Sequence, residues 1–263
     1  MRDPLDLTGR VAIVTGGGRG IGRGIATRLL AAGADVVICG RSQPESLPAA
    51  AGRTAAFVAA DVREAEAIDR VIAETKRLFG RLDVLVNNAG GSPPADAATA
   101  SPRFSEAILR LNLLAPLVFS QKANALMQGQ PDGGSIVNIA SVSGVRPSPG
   151  TAAYGAAKAG LLSLTTSLAV EWAPKVRVNA IVAGLIHTEQ SGLHYGDGAG
   201  IARVAATVPL GRLGLPEDVA AVCLFLVSPL ASYVSGAAVL LHGGGERPAF
   251  LSAAQPPGEP RRG

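Results

Sequence analysis

Cysteine, histidine, lysine and aromatic residues are all scarce in this chain of 263 residues. The two cysteines, Cys39 and Cys223, lie far apart in apolar stretches. That excludes a disulfide framework and predicts two buried free thiols in a reducing compartment. The three histidines, His187, His194 and His242, show no metal-ligand spacing and stand beside no nucleophile elbow, so neither a metal centre nor a Ser–His hydrolase is expected. Apolar runs long enough for a membrane-spanning helix, about 18 residues, are missing. The first nine residues, Met1 to Gly9, lack the apolar core of a secretory signal. Together these absences predict a cytoplasmic protein with no membrane partner. A formal net charge of +4 does not point to nucleic acid, because the arginines are scattered singly, without a basic run or interleaved aromatics.

What the chain does have is a regular alternation of short apolar runs and helix-period segments. Strands are expected at Val11–Thr15, Val36–Cys39, Ala55–Ala59, Leu82–Asn87, Ser135–Ala140, Arg177–Val182 and Ala237–Leu241, with helices between them. Among the helices are Ile21–Ala32, the charged Glu64–Phe79, a long one from Ala152 to Trp172, and one opening at Pro216-Glu-Asp. Uninterrupted apolar strands alternating with helices predict an α/β fold: one doubly wound, Rossmann-type sheet of about seven parallel strands, covered by helices on both faces. Its ligand belongs at the carboxyl ends of the strands. No linker divides the chain, so residues 1–245 read as one dinucleotide-binding and catalytic domain. Residues 246–263, rich in Pro, Gly and Arg, read as a partly disordered tail. Gly91–Pro102 and Gly192–Gly200 read as loops.

Thr15-Gly-Gly-Gly-Arg-Gly-Ile-Gly22 follows the first strand and opens the first helix. Backbone N–H groups and a helix N-terminus attract phosphate there, and glycine lets the backbone approach it. An acid at the end of the second strand would bind the ribose hydroxyls of a dinucleotide and repel a 2′-phosphate. This chain instead reads Cys39-Gly40-Arg41-Ser42, with a second arginine, Arg19, inside the glycine loop. Two guanidiniums suited to phosphate favour NADP(H), with NAD(H) as the other cofactor open to it.

Tyr154-Gly-Ala-Ala-Lys158 puts a phenol and an ammonium on one helix face, where the cation is expected to depress the tyrosine pKa and make it an acid/base near neutrality. Ser141 follows the fifth apolar run, Ser135–Ala140, which directs its hydroxyl into the expected crevice.

In spacing and order these residues resemble the classical short-chain dehydrogenase/reductase family, of the 3-oxoacyl-[acyl-carrier-protein] reductase type, over about residues 7–245. The resemblance implies that Gly16, Gly20, Ile21 and Gly22 line the cofactor pyrophosphate, and that Arg19, Arg41 and Ser42 meet the adenosine ribose or its phosphate. It assigns Asp61-Val62 and Asn88-Ala89-Gly90 to the adenine side. Ser141, Tyr154 and Lys158 become the catalytic set, with Tyr154 and Lys158 also at the nicotinamide ribose and Asn112 holding a water in the proton relay. Gly184, Ile186 and Thr188 belong beside the nicotinamide, although Ala183-Gly184 replaces the family's usual Pro-Gly. No metal is implied.

The resemblance further implies hydride transfer between a carbonyl and a secondary alcohol, with a small-molecule substrate and assembly as a homotetramer or homodimer. Leu161, Leu164, Leu168 and Trp172 are the apolar residues expected to serve that assembly. Arg146, five residues past Ser141, is expected to grip an anionic handle, which would suit a 3-oxoacyl thioester. An apolar ketone, and a steroid or other secondary alcohol with NAD(H), stay open. So does a catalytically silent cofactor-binding regulator.

Overall fold

A computed structural model describes residues 3–246, 248 and 250. Seven strands, Val11–Thr15 (β1), Asp35–Gly40 (β2), Ala56–Ala59 (β3), Val84–Asn87 (β4), Gly134–Ser141 (β5), Val176–Ala183 (β6) and Ala238–Leu241 (β7), form one sheet in the order β3-β2-β1-β4-β5-β6-β7. Every pairing in it is parallel. The helices are Gly20–Ala31 (α1), Ala65–Phe79 (α2), Pro102–Leu109 (α3), Ala115–Gln128 (α4), Ala152–Glu171 (α5), Ser191–Tyr195 (α6), Gly198–Ala205 (α7) and Pro216–Val227 (α8). No helix among the described residues is long and apolar enough to cross a membrane.

The strand period of two explains why the central runs are apolar throughout. In β1, Ala12 and Val14 face a layer with Ile25, Leu29 and Leu30 of α1 and Cys223 and Leu224 of α8. Ile13 between them faces the other layer, with Ile68, Val71, Phe119, Met127 and Leu168. Both faces are covered, so neither parity of residue meets water. Both cysteines are buried and free, and desolvation pushes each thiol up to about 12. Strand order reverses between β1 and β4, which opens a crevice at the carboxyl ends of the strands.

Two expectations are corrected. Gly192–Gly200 is not a loop: it spans α6 and the start of α7, separated at Gly196 with φ +77°. The Asp197 carboxylate caps α7 by accepting from Gly200 N at 2.9 Å, and a good cap offsets the modest cost of helical glycine. Second, the apolar stripe of α5 points inward. Leu161 and Leu168 are buried, and Leu164 and Trp172 pack on the core. The large apolar side chains left in solvent include Val170, Leu114, Phe225, Leu240 and Tyr233, the last at 103% of its reference exposure. Of the tail, only Glu246, Pro248 and Phe250 are among the described residues.

A polar chain runs through the second core layer. Asn87 Nδ2 donates to Ser120 Oγ at 2.9 Å and to Asn138 Oδ1 at 2.8 Å, and Asn138 Nδ2 donates to Thr165 Oγ1 at 2.9 Å. It ties β4, α4, β5 and α5 just below the crevice. Asn138→Ala removes one acceptor from the buried Asn87 amide and one donor from the buried Thr165 hydroxyl, which keep Ser120 and Leu161 O as partners. The expected loss of unfolding free energy is about 1–3 kcal/mol, read by urea unfolding. A loss below about 0.5 kcal/mol would show that the network holds nothing.

Candidate active site

Thr15, the last residue of β1, fixes the floor of the crevice. Its buried hydroxyl accepts from Asn88 N and Ala89 N, each at 2.9 Å, while Asn88 Nδ2 donates to Thr15 O at 2.9 Å and Gly16 O at 3.3 Å. The turn after β4 is thereby clasped to the glycine loop. Gly16 and Gly20 sit at φ +65° and +49°. A Cβ on Gly22 would stand 2.4 Å from both Asn88 Nδ2 and Gly16 O, so no side chain fits there. At the N-terminus of α1, Gly20 N donates to both carboxylate oxygens of Glu189, at 3.3 and 3.2 Å. An anion's oxygens are already accepted where the helix dipole favours them. A side-chain-free cradle and an anion-accepting amide fit the pyrophosphate of a dinucleotide.

The adenine side is equally defined. Gly40 ends β2, and the segment after it returns to the glycine loop, where Pro44 borders Gly18. Arg23, which the sequence reading passed over, braces this return by donating to Gly18 O at 3.5 Å and Ser46 O at 2.7 Å. Asp61 accepts from the Arg63 side chain and from Arg63 N, and lies within electrostatic reach of Arg41. The Arg63 hydrogen bond, ahead of the other influences, holds the Asp61 carboxyl below its usual range. Val62 beside it is buried. Arg19, Arg41 and Ser42 are exposed, and neither arginine has an ion pair among the described residues.

Across the crevice, β5 and α5 bring the second group together. Ser141 ends β5 and its hydroxyl hydrogen-bonds Tyr154, in the first turn of α5. Lys158 is 4% exposed, with Nζ 5.6 Å from the centre of the Tyr154 ring and donating to Ile139 O at 2.7 Å. Burial pushes Lys158 down to about 8. Burial also raises Tyr154 above its ordinary value, with the Ser141 hydrogen bond pulling the other way. The expected depression of Tyr154 by Lys158 is therefore absent from the folded chain: the ammonium is turned to a carbonyl and is itself costly to charge.

Asn112 joins this group through a break in helix geometry. Arg110–Leu114 form a π-helical turn between α3 and α4, in which Ala115 N donates to Arg110 O five residues back. The turn leaves Asn112 fully buried, with Nδ2 donating to Gly91 O at 3.0 Å and Ile108 O at 2.9 Å, and Oδ1 accepting from Gly91 N at 2.8 Å. A Cβ on Gly90 would lie 2.6 Å from Asn112 Oδ1 and 3.4 Å from Lys158 Nζ, so all three share one small space.

The segment after β6, residues 185–208, borders the glycine loop as a lid. Thr188 lies against Gly20, and its N–H donates to Ser191 Oγ at 2.8 Å. Ile186 bridges to Gly214, and Gly184 N donates to Leu241 O at 2.8 Å, so the turn lacking proline is held from β7 and the 213–215 segment. Arg146 is not a free cation. Its Nη2 pairs with Glu246 Oε1 at 2.6 Å. Thr15, Arg23 and Glu189 are the site residues that sequence reasoning missed. Each acts through the backbone of a neighbour distant in sequence, and residue type alone carries no signal of that.

Comparisons with known proteins agree with this architecture. A family model described as enoyl-(acyl carrier protein) reductase matches residues 16–246. A 3-oxoacyl-[acyl-carrier-protein] reductase of Aquifex aeolicus is 37% identical over 247 residues, 91% of this chain and 98% of that one. A 3beta-hydroxysteroid dehydrogenase of Eggerthella lenta is 35% identical over 246 residues, 91% and 94% of the two chains. The ligand-free structure of an aldohexose dehydrogenase of Thermoplasma acidophilum superposes with a TM-score of 0.85 at 30% identity, covering 98% of this chain and 99% of that one. These relatives differ in the substrate they are named for, all are named as reductases or dehydrogenases, and the likeness runs nearly end to end. The chain belongs to the classical short-chain dehydrogenase/reductase family and is an oxidoreductase of the carbonyl–alcohol pair that works with a nicotinamide dinucleotide.

Proposed function

We propose that the protein reduces an uncharged, largely apolar ketone to a secondary alcohol with NADPH, by way of Ser141, Tyr154, Lys158 and Asn112. The observation that carries this reading is the meeting of Ser141, at the end of β5, with Tyr154 in the first turn of α5, whose ring centre lies 5.6 Å from Nζ of the buried Lys158. When bound, the nicotinamide supplies the hydride. Tyr154, held above its ordinary pKa by burial, keeps its proton at neutral pH and is poised to give it to a carbonyl oxygen. Ser141 hydrogen-bonds the same oxygen. Lys158 binds the nicotinamide ribose, and Asn112 holds the water that links Lys158 to solvent.

Gly16, Gly20, Ile21 and Gly22 would hold the pyrophosphate, with Asp61, Val62, Asn88, Ala89 and Gly90 on the adenine side and Gly184, Ile186 and Thr188 at the nicotinamide. Arg19 and Arg41, exposed and without an ion pair among the described residues, stand beside a strand end that lacks an acid and favour the 2′-phosphate, with Ser42 as a further donor. A thioester substrate loses its expected anchor because Arg146 is paired with Glu246. The buried thiols agree with a cytoplasmic location. Assembly as a homotetramer or homodimer is supported by the exposed Phe225, Tyr233 and Leu240 around the sheet-edge strand β7.

Tyr154→Phe is expected to lower kcat by about a hundred- to ten-thousand-fold while NADPH still binds, as read by cofactor fluorescence. Near wild-type turnover would remove Tyr154 from the chemistry. Lys158→Met is expected to be as inactive, yet no less stable at pH 7. Its folded pKa, about 8, lies below the ordinary 10.5, so the cost of burying the charge is full below pH 8 and fades as pH approaches 10.5. The thermal midpoint of Lys158→Met relative to wild type should therefore be higher at pH 7 than at pH 10. A constant difference would reject that account.

Arg41→Ala is expected to raise the KM for NADPH about tenfold and to leave that for NADH within about twofold. Wild-type preference for NADH would overturn the cofactor assignment. Sedimentation at micromolar concentration should show a dimer or tetramer, and a monomer alone would reject assembly.

A further inference from the structure

Three segments distant in sequence meet beside the catalytic end of β5. The first follows Ser141: the Arg146 amide donates to Val142 O at 3.1 Å, so its side chain leaves from a turn fixed directly to the Ser141 position. This turn packs on the start of α5, where a Cβ on Gly155 would stand 2.8 Å from Ser143 O. The second is α6, which ends in Tyr195. The third is the chain after β7. It crosses the end of the lid at close range: Leu210 N donates to Gly243 O at 3.1 Å, and Cβ atoms on Gly243 and Gly244 would stand 2.7 and 2.9 Å from Val208 and Pro209. That path delivers Glu246 to Arg146.

We propose that Arg146 and Glu246 form a charge gate at the substrate opening, in which the chain's own carboxylate occupies the guanidinium and excludes ketones that carry an anionic group. The inference rests on the ketone-reductase reading above and deepens it. The pair closes at 2.6 Å, with Arg146 also donating to Pro147 O at 3.1 Å. The side chains remain 38% and 42% exposed, so a soluble anion can reach the cation but meets the Glu246 carboxylate already beside it. Tyr195, partly buried, lies within reach of both charges: burial raises its pKa most, and Arg146 and Glu246 then act on it in opposite directions. The gate therefore spans the post-Ser141 turn, the lid and the C-terminal segment. An arginine so placed would attract a carboxylate, and the matched Glu246 cancels that attraction.

The test compares acetoacetate with 2-pentanone, a 3-oxo acid and a neutral ketone of similar length, with NADPH. Glu246→Gln is expected to raise kcat/KM for acetoacetate relative to 2-pentanone about tenfold, chiefly through KM, and the gain should shrink in 0.5 M NaCl because the pair is half-exposed. A merely structural role for Glu246 would move both substrates together, and an unchanged ratio overturns the gate.

A second measurement needs no turnover. Phenylglyoxal labelling of Arg146, followed by mass spectrometry without cofactor, should be slow in wild type and several-fold faster in Glu246→Gln, where acetoacetate should protect it. Equal labelling in the two proteins, or no protection in the variant, overturns the gate even if the enzyme proves to be a ketone reductase. Protection in the variant together with no reduction of any ketone by wild type would instead uphold the gate and overturn the ketone-reductase reading.

Discussion

Lys158 places a cation in the interior with no carboxylate beside it among the described residues, and the arrangement of the catalytic end follows from that cost. The Ile139 carbonyl accepts a hydrogen bond from Lys158 Nζ, so β5 and α5 must lie at a fixed distance. Small residues must surround the stem: Gly144 lies so near Lys158 that a Cβ would meet its backbone at 2.8 Å, and Gly90 borders Nζ. A buried charge of this kind persists only where function retains it, since replacement by an apolar side chain would relieve the fold. Burial raises Tyr154 and lowers Lys158, so the two values move apart, the phenol upward and the ammonium down to about 8.

The glycine loop obeys a different constraint, one of space rather than charge. Thr15 holds two amides of the turn after β4, and Asn88 returns two bonds to the loop, so the floor of the cofactor cradle is one hydrogen-bonded unit contributed by two neighbouring strands. Glu189 then reaches this unit from the lid. The lid, the cradle and, through Leu241 and Gly243, the C-terminal segment are therefore mechanically continuous.

The fold was legible because parallel strands covered on both faces leave a contiguous apolar signature, and all seven expected runs became strands with ends shifted by at most two residues. Of the candidate site, the spacing of four made legible that Tyr154 and Lys158 lie together on α5. The site was not legible where backbone geometry decides. Gly192–Gly200 read as a loop because glycine propensity was weighed without the Asp197 cap. The stripe of α5 read as an interface because periodicity identifies an apolar face but not its neighbour. Arg146 read as free because its partner lies 100 residues away. The π-helical turn was invisible, since the i→i+5 bond leaves no trace in residue pattern.

That turn has an evolutionary consequence. Asn112 grips both the N–H and the C=O of Gly91, the residue from which the segment facing the substrate side departs, and Ser101 caps α3 where the segment returns. Both attachment points thus belong to the same helical assembly. Losing one residue from the turn would rotate everything on one side of it by about 100° and release Gly91. Between those anchors, residues 92–101 contain no regular helix or strand and give the asparagine nothing to hold. Insertions or substitutions there leave both anchors untouched, so length and composition can change without disturbing the turn that holds Asn112.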